Sequence, residues 1–151
     1  VPPHMTMSGY AQAHMSTGRG LTAILRRKAL SMQFMLQFRE TAEEWGKHKD
    51  PTQHAAYFGV WNSFIGALAQ SGAMVGGNGL LPPDTATTLR VENGTRHVFD
   101  GPFADTKETL GGYVILDVPD LDAALEWAAK APCVTAGSVE IRPVLPPPSN
   151  G

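Results

Sequence analysis

From Met32 the chain alternates between apolar and polar positions with period two. Phe34, Leu36 and Phe38 fall on one face, and Gln33, Met35 and Gln37 on the other, which predicts a half-buried strand. Thr41-Ala42-Glu43-Glu44 then has the spacing of a capping box and predicts a short helical turn. Asp50-Pro51 is a second start signal, because Asp50 accepts from the first free N–H groups and Pro51 suits the first helical position. Behind it Tyr57, Trp61, Phe64 and Leu68, flanked by Phe58 and Ile65, recur every three or four residues as one apolar helical face, and Gly72 supplies the left-handed stop. Residues 73–81 read as a Gly-rich extended segment, interrupted at Pro82-Pro83. Asn93-Gly94 between two strand-like runs, 86–91 and 95–99, is a hairpin signal. Residues 112–118 form a nearly continuous apolar strand. Asp120 then caps a helix with the stripe Leu121, Ala124, Leu125 and Ala128, in which Glu126 and Lys130 stand at i,i+4, and Pro132 ends it. The last strand, 138–144, sets Val139 and Ile141 opposite Ser138, Glu140 and Arg142, ahead of a Pro-rich tail. The order is β-α-β, an inserted hairpin, then β-α-β, so the predicted class is α+β with a ferredoxin-like split βαβ pattern.

Length and composition narrow the function classes more than they choose among them. A chain of 151 residues with 42% hydrophobic content suits one domain with a real core. A net charge of -2 gives no general attraction for nucleic acid or an anionic membrane, both of which need clustered Lys and Arg. No apolar run approaches the ~20 residues that span a bilayer, and a single Cys133 cannot make an internal disulfide; both fit a cytoplasmic protein. Composition changes at the amino end, where no acid precedes Glu40 while Arg19, Arg26, Arg27 and Lys28 are present. This predicts an arm over residues 1–31, with a short helix over 21–30, and a domain over 32–151. The arm reads as a remnant of cloning or upstream translation, as a leader, or as an amphipathic segment packing on a partner.

The most specific string is Asp100-Gly101-Pro102-Phe103, followed by Ala104-Asp105-Thr106-Lys107-Glu108 and Leu110-Gly111-Gly112-Tyr113. Gly-Pro behind an aspartate predicts a turn between two strands. With the order and spacing of residues 111–118, 119–127 and 137–144, this string resembles the signature of the YCII-related family, also called the DGPF type, over 32–144. The resemblance implies a ferredoxin-like α+β domain that forms a homodimer, a dimeric α/β barrel joined sheet to sheet around a partly polar cavity. Most members have no assigned reaction. The resemblance also implies a setting beside bacterial extracytoplasmic-function sigma factors as possible partners. The family's paired His and Asp fall near Trp61 and Ala131 here, so both groups are missing.

The candidate chemistry is sparse. His4, His14, His48, His54 and His97 make no metal spacing, and Cys133 has no histidine partner, so no metal and no cofactor are expected. Gly72, Gly76, Gly77 and Gly79 match no phosphate-loop pattern. Tyr57 and Trp61 either line a pocket or belong to the core. Asp100 is the one candidate catalytic acid, tuned by His97 or Arg142, against the alternative of a structural Asx-type turn. Gln33, Gln37, Tyr113, Glu140 and Arg142 on the mixed sheet face are the candidate ligand-binding residues. Two functions remain open: a non-catalytic small-molecule-binding or regulatory module associated with sigma-factor systems, and a small-molecule isomerase or lyase using acid/base catalysis in a cavity at the dimer interface.

Overall fold

In the computed structural model, which describes residues 31–102 and 106–149, strand β1 (Met32–Thr41) is the spine of the domain. It pairs antiparallel with β5 (Glu108–Val118) on one side and with β6 (Ser138–Pro143) on the other. A further strand, β2 (Met74–Gly79), adds to the far side of β5, giving the order β2-β5-β1-β6. Because β1 and β2 both run antiparallel to β5, they are parallel to each other and joined by a helical crossover; β5 and β6 repeat the arrangement. Two interleaved βαβ units of this kind make an α+β fold of the ferredoxin-like type. Residues Met32–Gly151 form one compact unit, and the arm and short helix expected in the first thirty residues lie outside the described residues.

Period-two alternation survives in β1 as expected, with Phe34, Leu36 and Phe38 all buried. Their face meets Phe64 and Leu68 of α2 (His54–Ser71) and Ala124 and Ala128 of α3 (Leu121–Ala128), and Leu116 and Val114 of β5 complete the core. Thr41 caps α1 (Ala42–Lys49) by accepting from the Glu44 N–H at 3.3 Å, as the capping box predicts. Gly72 ends α2 at φ 77°. Asp120 caps α3 through the Ala123 N–H at 2.9 Å.

Two local expectations shift. Asp50 does not open α2: its carboxylate accepts from the backbone and side chain of Thr52 and from Gln53, forming a turn that delays the helix to His54. In α3 the buried positions are the alanines, whereas Leu121 and Leu125 are 50% and 48% exposed, so the helix lies close on the sheet through its small side chains. Lys130 stands beyond the helix end, over the Trp127 ring. The hairpin of β3 (Thr87–Glu92) and β4 (Thr95–Asp100) turns on Asn93 and Gly94, both at positive φ, and forms a separate two-stranded sheet.

Candidate functional site

Glu40 extends the buried face of β1 by one more alternate position, so a carboxylate enters the helix-covered side of the sheet and is only 3% exposed. Room for it comes from an irregularity in the neighbouring strand. Phe38 is opposite Gly112 and Arg39 opposite Leu110, which leaves Gly111 as the extra residue of a β-bulge. A Cβ on Gly111 would stand 2.6 Å from Glu40 Oε2 and 3.2 Å from Trp45 Cζ2. The missing side chain is the slot in which the carboxylate lies. Trp45 closes it from α1 and is anchored by its Nε1–H donating to Thr109 Oγ1 at 2.8 Å. Close approach also explains Gly77, where a Cβ would meet the Tyr113 carbonyl oxygen at 2.5 Å.

Three titratable groups form a chain. The Tyr57 hydroxyl donates to Glu40 Oε1, and His48 Nε2 is 3.0 Å from the Tyr57 oxygen. His54 Nδ1–H donates to the His48 carbonyl at 2.8 Å and ties the start of α2 to the end of α1. Burial raises the Glu40 pKa above the usual carboxylate range and the nearby Glu44 adds to it, while the Tyr57 hydrogen bond acts in the opposite direction. Burial and then Glu40 push Tyr57 upward, and burial with the proximity of His54 pushes His48 downward. The chain persists in either protonation state of Glu40. With a carboxylate, His48 donates to Tyr57 and Tyr57 to Glu40; with a carboxylic acid, both bonds reverse.

Above Glu40 lies a cavity of about 230 Å³ between α2, β2 and the bulge in β5. Its walls are mainly Phe38, Tyr57, Phe58, Trp61, Ile65 and Met74, with Asn62 and Asn78 as polar points. The aromatic walls are locked edge to face: Phe38 and Trp61 at 5.1 Å between centroids, Tyr57 and Phe58 at 5.1 Å, and His48 and Phe58 at 4.7 Å. In a second, more open hollow beneath α1, Lys49 is paired with Asp84 at 2.8 Å.

Of the residues expected from sequence to bind a ligand, four are brought together on the outer face of the sheet. Gln37 is in register with both Tyr113 and Glu140, and Arg142 pairs with Glu140 at 2.9 Å. Tyr113 also borders the cavity and accepts from Asn78 at 3.1 Å. Gln33 is farther along β1, opposite Asp117. Asp100 stands apart at the exposed end of β4 in the separate hairpin, opposite Thr87. The following Gly101 has φ 95° and is held by its N–H donating to Ala86 O at 2.7 Å. Residues 103–105 of the signature lie outside the described residues. Tyr57 and Trp61 do line a pocket, and Ala131 is in the core. Among the described residues no group of three His, Cys, Asp or Glu side chains is placed to hold a metal, and no helix is long and apolar enough to cross a membrane.

Compared with known proteins, residues 10–147 match the family model of the YCII-related domain. The chain belongs to the YCII-related domain family. A curated relative, an uncharacterized protein of Rhizobium meliloti (strain 1021), is 43% identical over 67 residues, a match covering 43% of this chain and 54% of that protein. The chain thus spans about half the length of the relative it matches. Within this YCII-related domain the Gly111-Gly112 pair of the signature has a physical role: Gly111 admits the Glu40 carboxylate, and Gly112 lets the Asn78 carbonyl oxygen approach to where its Cβ would be 2.9 Å away. Sequence reading missed Glu40. The available signal was its parity with Phe34, Leu36 and Phe38, which puts an acid on the apolar face.

Proposed function

We propose that this YCII-related domain binds a small molecule in the cavity over Glu40 and acts as a binding or regulatory module. The observation that carries this reading is a carboxylate, 3% exposed, facing a preformed and mainly apolar cavity. Sites for small ligands are commonly built this way, with one or two polar groups orienting the ligand within apolar walls. At about 230 Å³ the cavity is smaller than the roughly 300–1,000 Å³ typical of drug-sized ligands, so the ligand is small. Amide chemical-shift mapping with a library of small fragments tests the reading. Shifts should cluster on Tyr57, Trp61, Gly79 and Gly111. Hits confined to other surfaces would overturn it.

Two copies joined through the outer face of the sheet belong to the same reading, since Met35, Tyr113 and Ile115 stand there among Gln37, Glu140 and Arg142. Sedimentation at micromolar concentration should give a homodimer, and a monomer would remove this part. A sigma-factor system is the regulatory setting implied by the family resemblance, and co-purification with such a factor is its test. A second reading, an isomerase or lyase, is favoured by the Glu40–Tyr57–His48 chain, which gives a proton abstracted in the cavity a hydrogen-bonded path to His48. Exchange of a carbonyl compound's α-proton with deuterated solvent, lost in Glu40→Gln, is its signature.

A further inference from the structure

Among the described residues, the cavity over Glu40 holds an acidic group without a basic counterpart. Among the described residues that line it, Glu40 is the sole carboxylate, and there is neither Lys nor Arg. Buried charges in folded proteins are ordinarily paired. Glu40 instead has a neutral hydrogen-bonding neighbour, the Tyr57 hydroxyl. His48 does not fill the role: its Nε2 is engaged with Tyr57, and burial and His54 hold the ring on the neutral side. Four of the other lining side chains, Phe38, Tyr57, Phe58 and Trp61, are aromatic, and the faces of such rings attract cations.

Taking the cavity as a ligand site, as above, we infer that its ligand is a small organic cation, an ammonium group on a compact apolar body, with Glu40 as counter-charge and the aromatic rings as walls. An anion would meet the Glu40 charge, and a neutral ligand would leave the carboxylate unpaired or protonated. Entry of the cation favours the ionised carboxyl. Where Glu40 is protonated in the empty site, binding therefore releases that proton to solvent, and the carboxylate pairs with the ammonium group. Burial sets this balance first, with Tyr57 from α2 and Glu44 from α1; the other titratable groups nearby are His48, with His54 behind it, and Cys133, whose thiol is pushed up to about 12 and stays neutral.

Calorimetry of the full chain with benzylammonium, benzyl alcohol and benzoate separates the possibilities, because the three probes share one ring and differ in charge. Benzylammonium should bind at least tenfold tighter than benzyl alcohol, and benzoate weakest. In Glu40→Gln, which keeps an acceptor for Tyr57, the preference for the cation should vanish while benzyl alcohol binding persists. At a pH where Glu40 is protonated in the empty site, the observed heat of benzylammonium binding to the parent should differ between phosphate and Tris buffers, as proton release requires. Equal or tighter binding of benzyl alcohol or benzoate by the parent would overturn the inference and leave the cavity reading standing; so would a preference that survives Glu40→Gln. Silence from all three probes would remove the cavity reading and this inference with it. The ranking of the probes on the parent chain decides the matter even if the variant does not fold.

Discussion

Substituting Gly111 by alanine places a methyl group where the Glu40 carboxylate now lies. The new Cβ would be 2.6 Å from Glu40 Oε2, against an ordinary contact of 3.4–4 Å, so the oxygen must retreat by roughly 0.8 Å. That retreat pulls the carboxyl away from the Tyr57 hydroxyl. Weakening a hydrogen bond to a charged buried group costs about 1.5–3 kcal/mol. Alanine also restrains the unfolded chain relative to glycine, which returns about 0.4–1 kcal/mol. Gly111→Ala should therefore destabilise by about 1–2 kcal/mol. In a Glu40→Ala background the oxygen is gone and only the Trp45 contact at 3.2 Å remains, so the same substitution should fall within about 0.5 kcal/mol of neutral. Urea unfolding followed by circular dichroism gives all four corners of this cycle. Coupling of about 1–2 kcal/mol supports the slot, and equal losses in both backgrounds would refute the claim that Gly111 exists to admit Glu40.

Gly137→Ala should be worse, about 3 kcal/mol by urea unfolding, because its Cβ would overlap the Arg39 carbonyl oxygen, a backbone atom within β1; a loss near zero would show that the loop is free to shift. Glu40, with its pKa raised by burial, favours the folded state most below its unfolded value of 4.5 and loses that contribution as pH rises through its folded pKa, so Glu40→Gln should flatten the fall in melting temperature above pH 4.5. The lowered pKa of His48 acts in the other direction: its contribution is present above 6.5 and is lost on acidification through the folded value, so His48→Gln should lessen the acid-side decline below pH 6.5. Cys133, 1% exposed and with its thiol pushed up to about 12, should resist an aromatic disulfide reagent at neutral pH until the chain unfolds; rapid labelling of the native protein would contradict this burial.

Elements governed by near neighbours were legible in the sequence. The strand face of Phe34, Leu36 and Phe38, the caps at Thr41 and Asp120, the Gly72 stop and the Asn93-Gly94 turn all depend on a few consecutive residues. Asp50 misled because the cue is the same for a cap and a turn, and the choice depends on Thr52 and Gln53 competing for its oxygens. The α3 stripe misled because hydropathy ranks Leu121 and Leu125 above alanine, whereas close packing on a sheet selects the smaller side chains. The site was least legible. Glu40 and Gly111 meet only through the pairing of β1 with β5, and the bulge between them is a matter of register that neither segment announces alone. Tyr57 and Trp61 could be named as pocket or core, but choosing required seeing what stands across from them.

The two rims of the four-stranded sheet bear on whether it can be extended by a further strand. At β6 the Val144 N–H turns inward to the Gln33 carbonyl, so the adjacent Pro143 offers no donor on the open side. At β2 a register shift at Val75 and the glycines Gly76, Gly77 and Gly79 shorten and kink the other rim. A strand from a neighbouring molecule would find an incomplete row of partners at either rim, the defence by which sheets resist running on into fibres. Growth by lateral strand addition is therefore discouraged at both rims of the sheet.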